Sequence, residues 1–299
     1  MTDATSSLSG AAATVPEVAE RKPRDDELDV YGLTHPGKVR TNNQDNFLIC
    51  SLRREIIVHS TSLSNTGHLS AGGERLAFLA MVADGVGGGP MGEEASRVAV
   101  ESITDYVAHC TRCYYASDTA DSAAFTQALA EAAMQSHVAV TERAASEPSG
   151  RGMATTLTMW IGVWPYAYLL QVGDSRCYTL HSGTLTQLSR DQTMAQELID
   201  QGILTRARAP ETRWSNMLSS AIGGRQTEPV VTRFEQRWGD VGLLCSDGLT
   251  RHVSDEQIGE RLRTMTSSKQ ACEALLNDAL DGGGSDNITI IIGRAVARA

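Results

Sequence analysis

Leu76-Ala77-Phe78-Leu79-Ala80-Met81-Val82-Ala83-Asp84-Gly85-Val86-Gly87-Gly88-Gly89 joins an unbroken apolar run to an acid and a glycine-rich turn. Every residue over 76–83 is apolar, where a half-exposed strand would alternate, so both faces of this strand must be covered. The run then stops at an acid followed by glycines. Ile288-Thr289-Ile290-Ile291-Ile292, near the C-terminus, is the same kind of segment. It follows Gly282-Gly283-Gly284-Ser285-Asp286-Asn287, and Leu243-Leu244-Cys245-Ser246 leads in the same way into Asp247-Gly248.

Working outward, strand-like runs occupy 28–34, 45–50, 55–59, 154–163, 167–172, 176–180, 230–235 and 241–245. Amphipathic spacing predicts helices over 93–109 and 122–145, with a second pair over 255–265 and 269–280. Strands grouped in runs and punctuated by helix pairs argue against strict βαβ alternation. The predicted fold class is α+β, a sandwich of two sheets with helices packed outside each.

The composition excludes several functions. With 26 Lys and Arg against 36 Asp and Glu the formal charge is −10, and the arginines are scattered, which argues against nucleic acid as a partner. The run over 76–83 is far short of the roughly 20 apolar residues that span a bilayer, so no membrane partner is expected. Asp3 stands where a secretory signal carries basic residues, and the cytoplasm is the expected compartment. The six cysteines are too sparse for a disulfide scaffold, and Cys110 and Cys113 lack the second pair that a zinc site needs. Residues 1–25, rich in Ala, Ser, Thr and charge, are expected to be a disordered leader, and 26–299 a single domain. The stretch 60–73 is expected to be a polar hairpin loop.

Asp84, Asp247 and Asp286 each lie where an apolar run begins or ends. A carboxylate there is fixed by a sheet, and neighbouring glycines let backbone carbonyls approach a ligand. Oxygen donors of this kind suit Mg²⁺ or Mn²⁺, whereas zinc calls for His or Cys. No Gly-Lys-Ser/Thr follows the glycine-rich loop, so it is not a nucleotide P-loop. Ser246, Cys245 and the seven histidines show no nucleophile–base–orienter pattern.

Six short motifs in order resemble the bacterial form of the metal-dependent type 2C (PPM) protein serine/threonine phosphatases. They are Arg40-Thr41-Asn42-Asn43-Gln44-Asp45-Asn46, Val82-Ala83-Asp84-Gly85-Val86-Gly87-Gly88, Gly152-Met153-Ala154-Thr155-Thr156-Leu157, Val172-Gly173-Asp174-Ser175-Arg176, Leu243-Leu244-Cys245-Ser246-Asp247-Gly248-Leu249 and Gly284-Ser285-Asp286-Asn287-Ile288-Thr289. The resemblance implies a four-layer α-β-β-α sandwich with two central, mainly antiparallel β-sheets. It implies two Mn²⁺ or Mg²⁺ ions, held by Asp84, the Gly85 carbonyl, Asp247 and Asp286, with Asp45 acting through metal-bound water. It also implies that Arg40 forks onto the substrate phosphate, that a metal-activated water attacks phosphorus without a covalent intermediate, and that the partners are phosphoproteins made by a serine/threonine kinase.

Three residues depart from the family pattern. Gln44 stands where a Glu is usual, which removes a charge beside one metal. Val86 stands where eukaryotic members carry a His. Arg251 stands where a further Asp helps bind a third ion together with the residue matching Asp174, so Asp174 is either a third-metal ligand or a structural residue pairing with Arg176 or capping a turn. Thr205 to Gly224, with Arg206, Arg208 and Arg213, matches a variable flap that could grip acidic phosphopeptides. A pseudophosphatase that binds without turnover is the alternative reading.

Overall fold

The computed structural model describes residues 21–54, 73–87, 90–109, 122–147, 150 and 152–297. The strands are β1 (Leu28–His35), β2 (Asp45–Arg54), β3 (Glu74–Val86), β4 (Ala154–Thr155), β5 (Leu157–Val163), β6 (Tyr166–Val172), β7 (Arg176–His181), β8 (Thr184–Gln187), β9 (Val230–Glu235), β10 (Val241–Cys245) and β11 (Ile288–Ala295). The helices are α1 (Pro90–His109), α2 (Ser122–Ser146), α3 (Met194–Asp200), α4 (Asp247–Thr250), α5 (Asp255–Arg263) and α6 (Ser268–Asp281). One sheet has the order β1-β11-β10-β7-β8; the other has β2-β3-β5-β6-β9, with β4 paired to β3. The ladders are antiparallel.

The unbroken apolar runs are explained by three separate apolar layers. In β3, Leu79, Met81 and Ala83 face α1 and α2, packing with Ala99, Ile103, Phe125 and Leu129. The intervening Ala80 and Val82 face the other sheet, where they meet Leu244, Cys177 and Ile291. In β11, Ile288, Ile290 and Ile292 pack with Ile258 and Leu275 of α5 and α6. Each run therefore serves two layers at once, as period-2 side-chain geometry requires, and the result is the expected four-layer α-β-β-α sandwich. At one end the layer between the sheets opens into a cavity of about 480 Å³ lined by Trp160, Phe234, Gly242 and Gly293 among others. None of Arg40, Asp45, Asp84, Asp247 or Asp286 lines it.

The structure corrects the sequence reading locally. β3 does not stop before Asp84: Gly85 and Val86 continue it by pairing with Thr155 and Ala154. The run over 154–163 divides into β4 and β5 because Thr156 leaves the ladder, its N–H donating to the Asp84 carbonyl at 2.9 Å. β8 and α3 are additional elements. Four residues carrying one large apolar side chain give no period to read, and the seven-residue α3 is started by its cap, the Thr193 hydroxyl accepting from the Gln196 N–H.

Residues 21–25, assigned above to a disordered leader, are anchored. The Arg21 guanidinium donates to Glu27 at 2.7 Å and lies over the Trp238 ring, whose Nε1–H donates to the Arg21 carbonyl. Residues 1–20, the expected strand 55–59, nearly all of the loop 60–73 and the Cys110/Cys113 pair lie outside the described residues. No helix among the described residues is long and apolar enough to cross a membrane.

Candidate active site

Asp45 opens β2 and Asp84 lies near the end of β3, directly opposite each other in the ladder. Asp45 is only 4% exposed. Its Oδ2 accepts hydrogen bonds from the hydroxyls of Ser246 and Thr289, each at 2.7 Å. Its Oδ1 is buried without a hydrogen-bond partner among the described residues. Burial pushes the Asp45 carboxyl up to about 6, against the two hydroxyl donors that hold it down. Burial, and then the charges of Asp45, Asp247, Asp174 and Asp286, push Asp84 well above the usual carboxylate range.

The backbone of Asp84 is clamped. Its carbonyl accepts from the Thr155 hydroxyl and the Thr156 N–H, both at 2.9 Å, and its N–H donates to the Thr156 hydroxyl at 3.0 Å. The next residue has to be glycine, because a Cβ on Gly85 would stand 2.2 Å from the Gly92 carbonyl oxygen at the start of α1.

Asp247 and Asp286 come from the other sheet. Asp247 is the first residue of α4, immediately after β10, and Asp286 lies just before β11. Gly248 brings the two connections together: a Cβ there would meet the Asn287 carbonyl oxygen at 1.9 Å. The buried Asn287 side chain ties in the segment that carries Arg40, donating to the carbonyls of Pro36 and Asn42 and accepting from the Gln44 N–H. Arg40 then takes Asp286 in a fork, Nη2 to Oδ2 and Nε to Oδ1, both at 2.9 Å. Four sequence-distant acids and one arginine are thus gathered from both sheets at one place.

Arg251, the C-cap of α4, donates from Nε to Asp247 Oδ2 at 3.0 Å and approaches Asp286 Oδ2 at 3.6 Å. Burial pushes the Asp247 carboxyl up, and Arg251 opposes the shift. Asp174 is pushed up to about 8 by burial and by the charges of Asp247 and Asp191. It does not pair with Arg176, whose guanidinium goes to Asp191 at 2.6 Å. Gln44 donates from its amide to the Gly87 carbonyl at 2.8 Å, bracing the loop after β3, and Val86 is exposed. Arg206, Arg208 and Arg213 are exposed on the segment that follows α3. Arg213 lies over Trp214, and none of the three forms an ion pair or hydrogen bond with the acidic cluster.

Ser246, Thr289, Asn287 and the Thr155–Thr156 pair carry structural roles at the site that the sequence alone does not announce. All lie next to or within the quoted motifs, so the available signal was a small polar residue at a position flanked by buried ones.

The donor set fits hard divalent cations. It consists of carboxylate oxygens, several pushed together against their mutual repulsion, with one buried oxygen lacking a partner. Asp84, Asp247, Asp286 and the Gly85 carbonyl are the groups that could hold such ions.

Residues 67–282 match the family model of protein phosphatase 2C. The chain is 32% identical over 248 residues to the serine/threonine protein phosphatase PstP of Mycobacterium tuberculosis, which covers 82% of this chain but only 46% of that protein, so the chain spans about half its length. The crystal structure of the Mycobacterium tuberculosis serine/threonine phosphatase PstP/Ppp superimposes with a TM-score of 0.72 at 30% identity, over 90% of this chain and 99% of that one. A structure of the PstP catalytic domain in complex with two manganese ions gives a TM-score of 0.70 at 31% identity, over 90% and 99% of the two chains. With the four-layer sandwich and the gathered aspartates, these matches place the chain in the protein phosphatase 2C family.

Proposed function

We propose that this chain hydrolyses phosphoserine and phosphothreonine on proteins, with two divalent cations, Mn²⁺ or Mg²⁺, held by Asp84, the Gly85 carbonyl, Asp247 and Asp286. The observation that carries the reading is the convergence of buried and half-buried carboxylates from both sheets, which like-charge repulsion disfavours unless cations are to be bound. When bound, two such ions supply an activated water and neutralise charge developing on the phosphoryl oxygens.

The chain's own residues do the rest. Ser246 and Thr289 donate to one oxygen of Asp45 and leave the other free to accept from an ordered water. Thr155 and Thr156 fix the Asp84 backbone from which its carboxylate projects. Arg40, half exposed at the rim, has the planar fork that suits two phosphoryl oxygens. Ser246 is fully buried and donates to Asp45, which argues against a phosphoserine enzyme intermediate. Val86 has no proton to give the leaving alkoxide, so that proton comes from solvent.

Phosphate release from a phosphothreonine peptide tests the proposal. Wild-type protein is expected to release phosphate with Mn²⁺ and not with excess chelator, and Asp84→Asn to lose the activity. Peptide binding without release at any metal concentration would favour the pseudophosphatase instead.

A further inference from the structure

One oxygen of Asp247 and both oxygens of Asp286 are engaged by guanidinium groups. Arg251 contacts Asp247 Oδ2 through both Nε and Nη2, and its Nη1 lies 3.6 Å from Asp286 Oδ2. Arg40 takes both oxygens of Asp286. Among the described residues no group of three His, Cys, Asp or Glu side chains stands ready to hold an ion. The acids have been collected, but guanidinium groups take three of the four oxygens of Asp247 and Asp286.

Arg251 is well placed for this. It follows Asp247 by one helical turn, the spacing at which helix side chains meet, and its N–H caps α4 on the Asp247 carbonyl. The charged groups that act on it are Asp247, Asp286 and Asp174, all acidic. Its side chain is one-third exposed, so it can turn outward into solvent when a dication takes its place at Asp247. A dication can displace this guanidinium from the same carboxylate, but only at a cost in the ion's own affinity.

We infer that Arg251 is a tethered counter-cation: it holds the Asp247–Asp286 side together before metal arrives and competes with one of the two divalent ions for Asp247. The inference rests on the two-ion reading above. It requires the two ions to bind unequally, and the affinity of the weaker one to depend on the charge at position 251.

Titration calorimetry with Mn²⁺ on chelator-stripped protein tests this without reference to turnover. Wild type is expected to take up two ions of unequal affinity. In Arg251→Gln the weaker one tightens by about tenfold or more, the scale expected for removing one unit charge a few ångströms away. Arg251→Met carries the same expectation should the Gln variant not fold, and Arg251→Lys stays closer to wild type because it keeps the charge. Arg261→Gln, which breaks a surface pair with Asp278, leaves both affinities unchanged. Two ions bound with the same or lower affinity in the Gln and Met variants would overturn this inference and leave the metal reading intact. Absence of Mn²⁺ binding by wild type would overturn both.

Discussion

Asp45 and Asp84 occupy the same register position of adjacent antiparallel strands, so two carboxylates share one face at the end of a sheet. Cross-strand partners lie roughly 5 Å apart at Cβ, and like charges there destabilise the pair. Without cations this is a cost to folding, and neutralising one member relieves it. Asp84→Asn is therefore expected to be more stable than wild type in chelator by about 1 kcal/mol or more. It should also lose most of the stabilisation that Mn²⁺ gives wild type. Urea unfolding with and without Mn²⁺ checks both. A variant less stable than wild type in chelator, yet equally stabilised by Mn²⁺, would contradict the reading.

The same repulsion sets a pH dependence. Asp45 and Asp174 are raised to about 6 and about 8 from an ordinary value of 3.8. Between the ordinary and raised values the folded protein retains protons that the unfolded chain has released, so metal-free stability falls as pH rises through this window. Glu27 and Glu94, lowered to about 2, titrate below it and do not offset the trend. In chelator the melting temperature is expected to be higher at pH 5 than at pH 8. Mn²⁺ binding releases the retained protons, so its affinity rises over the same interval. A melting temperature that climbs from pH 5 to 8 in chelator would contradict this.

Ser246 supplies one of the two hydroxyl donors to Asp45 Oδ2, and it also accepts from the Thr289 N–H at 2.9 Å. Ser246→Ala leaves that N–H and the carboxylate short of a partner inside the sandwich. The expected loss is about 1–3 kcal/mol by chemical denaturation, with the fall of metal-free stability extended to higher pH. An unchanged unfolding midpoint would show that the hydroxyl has no such role.

Gly248→Ala places a methyl group where the Asn287 carbonyl oxygen now stands, against backbone that cannot swing aside. Relief requires the α4 and β11 connections to separate, and with them Asp247 and Asp286. Destabilisation of about 1–3 kcal/mol is expected, together with weakened Mn²⁺ binding in calorimetry. Wild-type affinity in a folded Gly248→Ala protein would mean that the two acids do not act on one ion.

Much of this was legible in the sequence, for identifiable reasons. Asp84, Asp247 and Asp286 stand out because each borders an apolar run that must be a buried strand, a signal carried by a few consecutive residues. The layer order follows from the same runs, since an unbroken apolar strand needs cover on both faces. The hydrogen bonds from Ser246 and Thr289 to Asp45 were not legible, because they link residues over 200 positions apart and depend on the contact between the sheets. Arg251 is conspicuous in sequence only as a departure from a pattern, and its contact with Asp247 and Asp286 became visible once α4 was in place. For Asp174, one of the alternatives open in sequence, pairing with Arg176, is removed because that guanidinium reaches Asp191.

The most direct test of the central claim is anomalous diffraction from crystals grown or soaked with Mn²⁺. Two manganese peaks are expected, each within about 2.5 Å of carboxylate oxygens drawn from Asp84, Asp247 and Asp286. Diffraction data showing no manganese among these residues, with Arg40 and Arg251 still closed on Asp286 and Asp247, would contradict it.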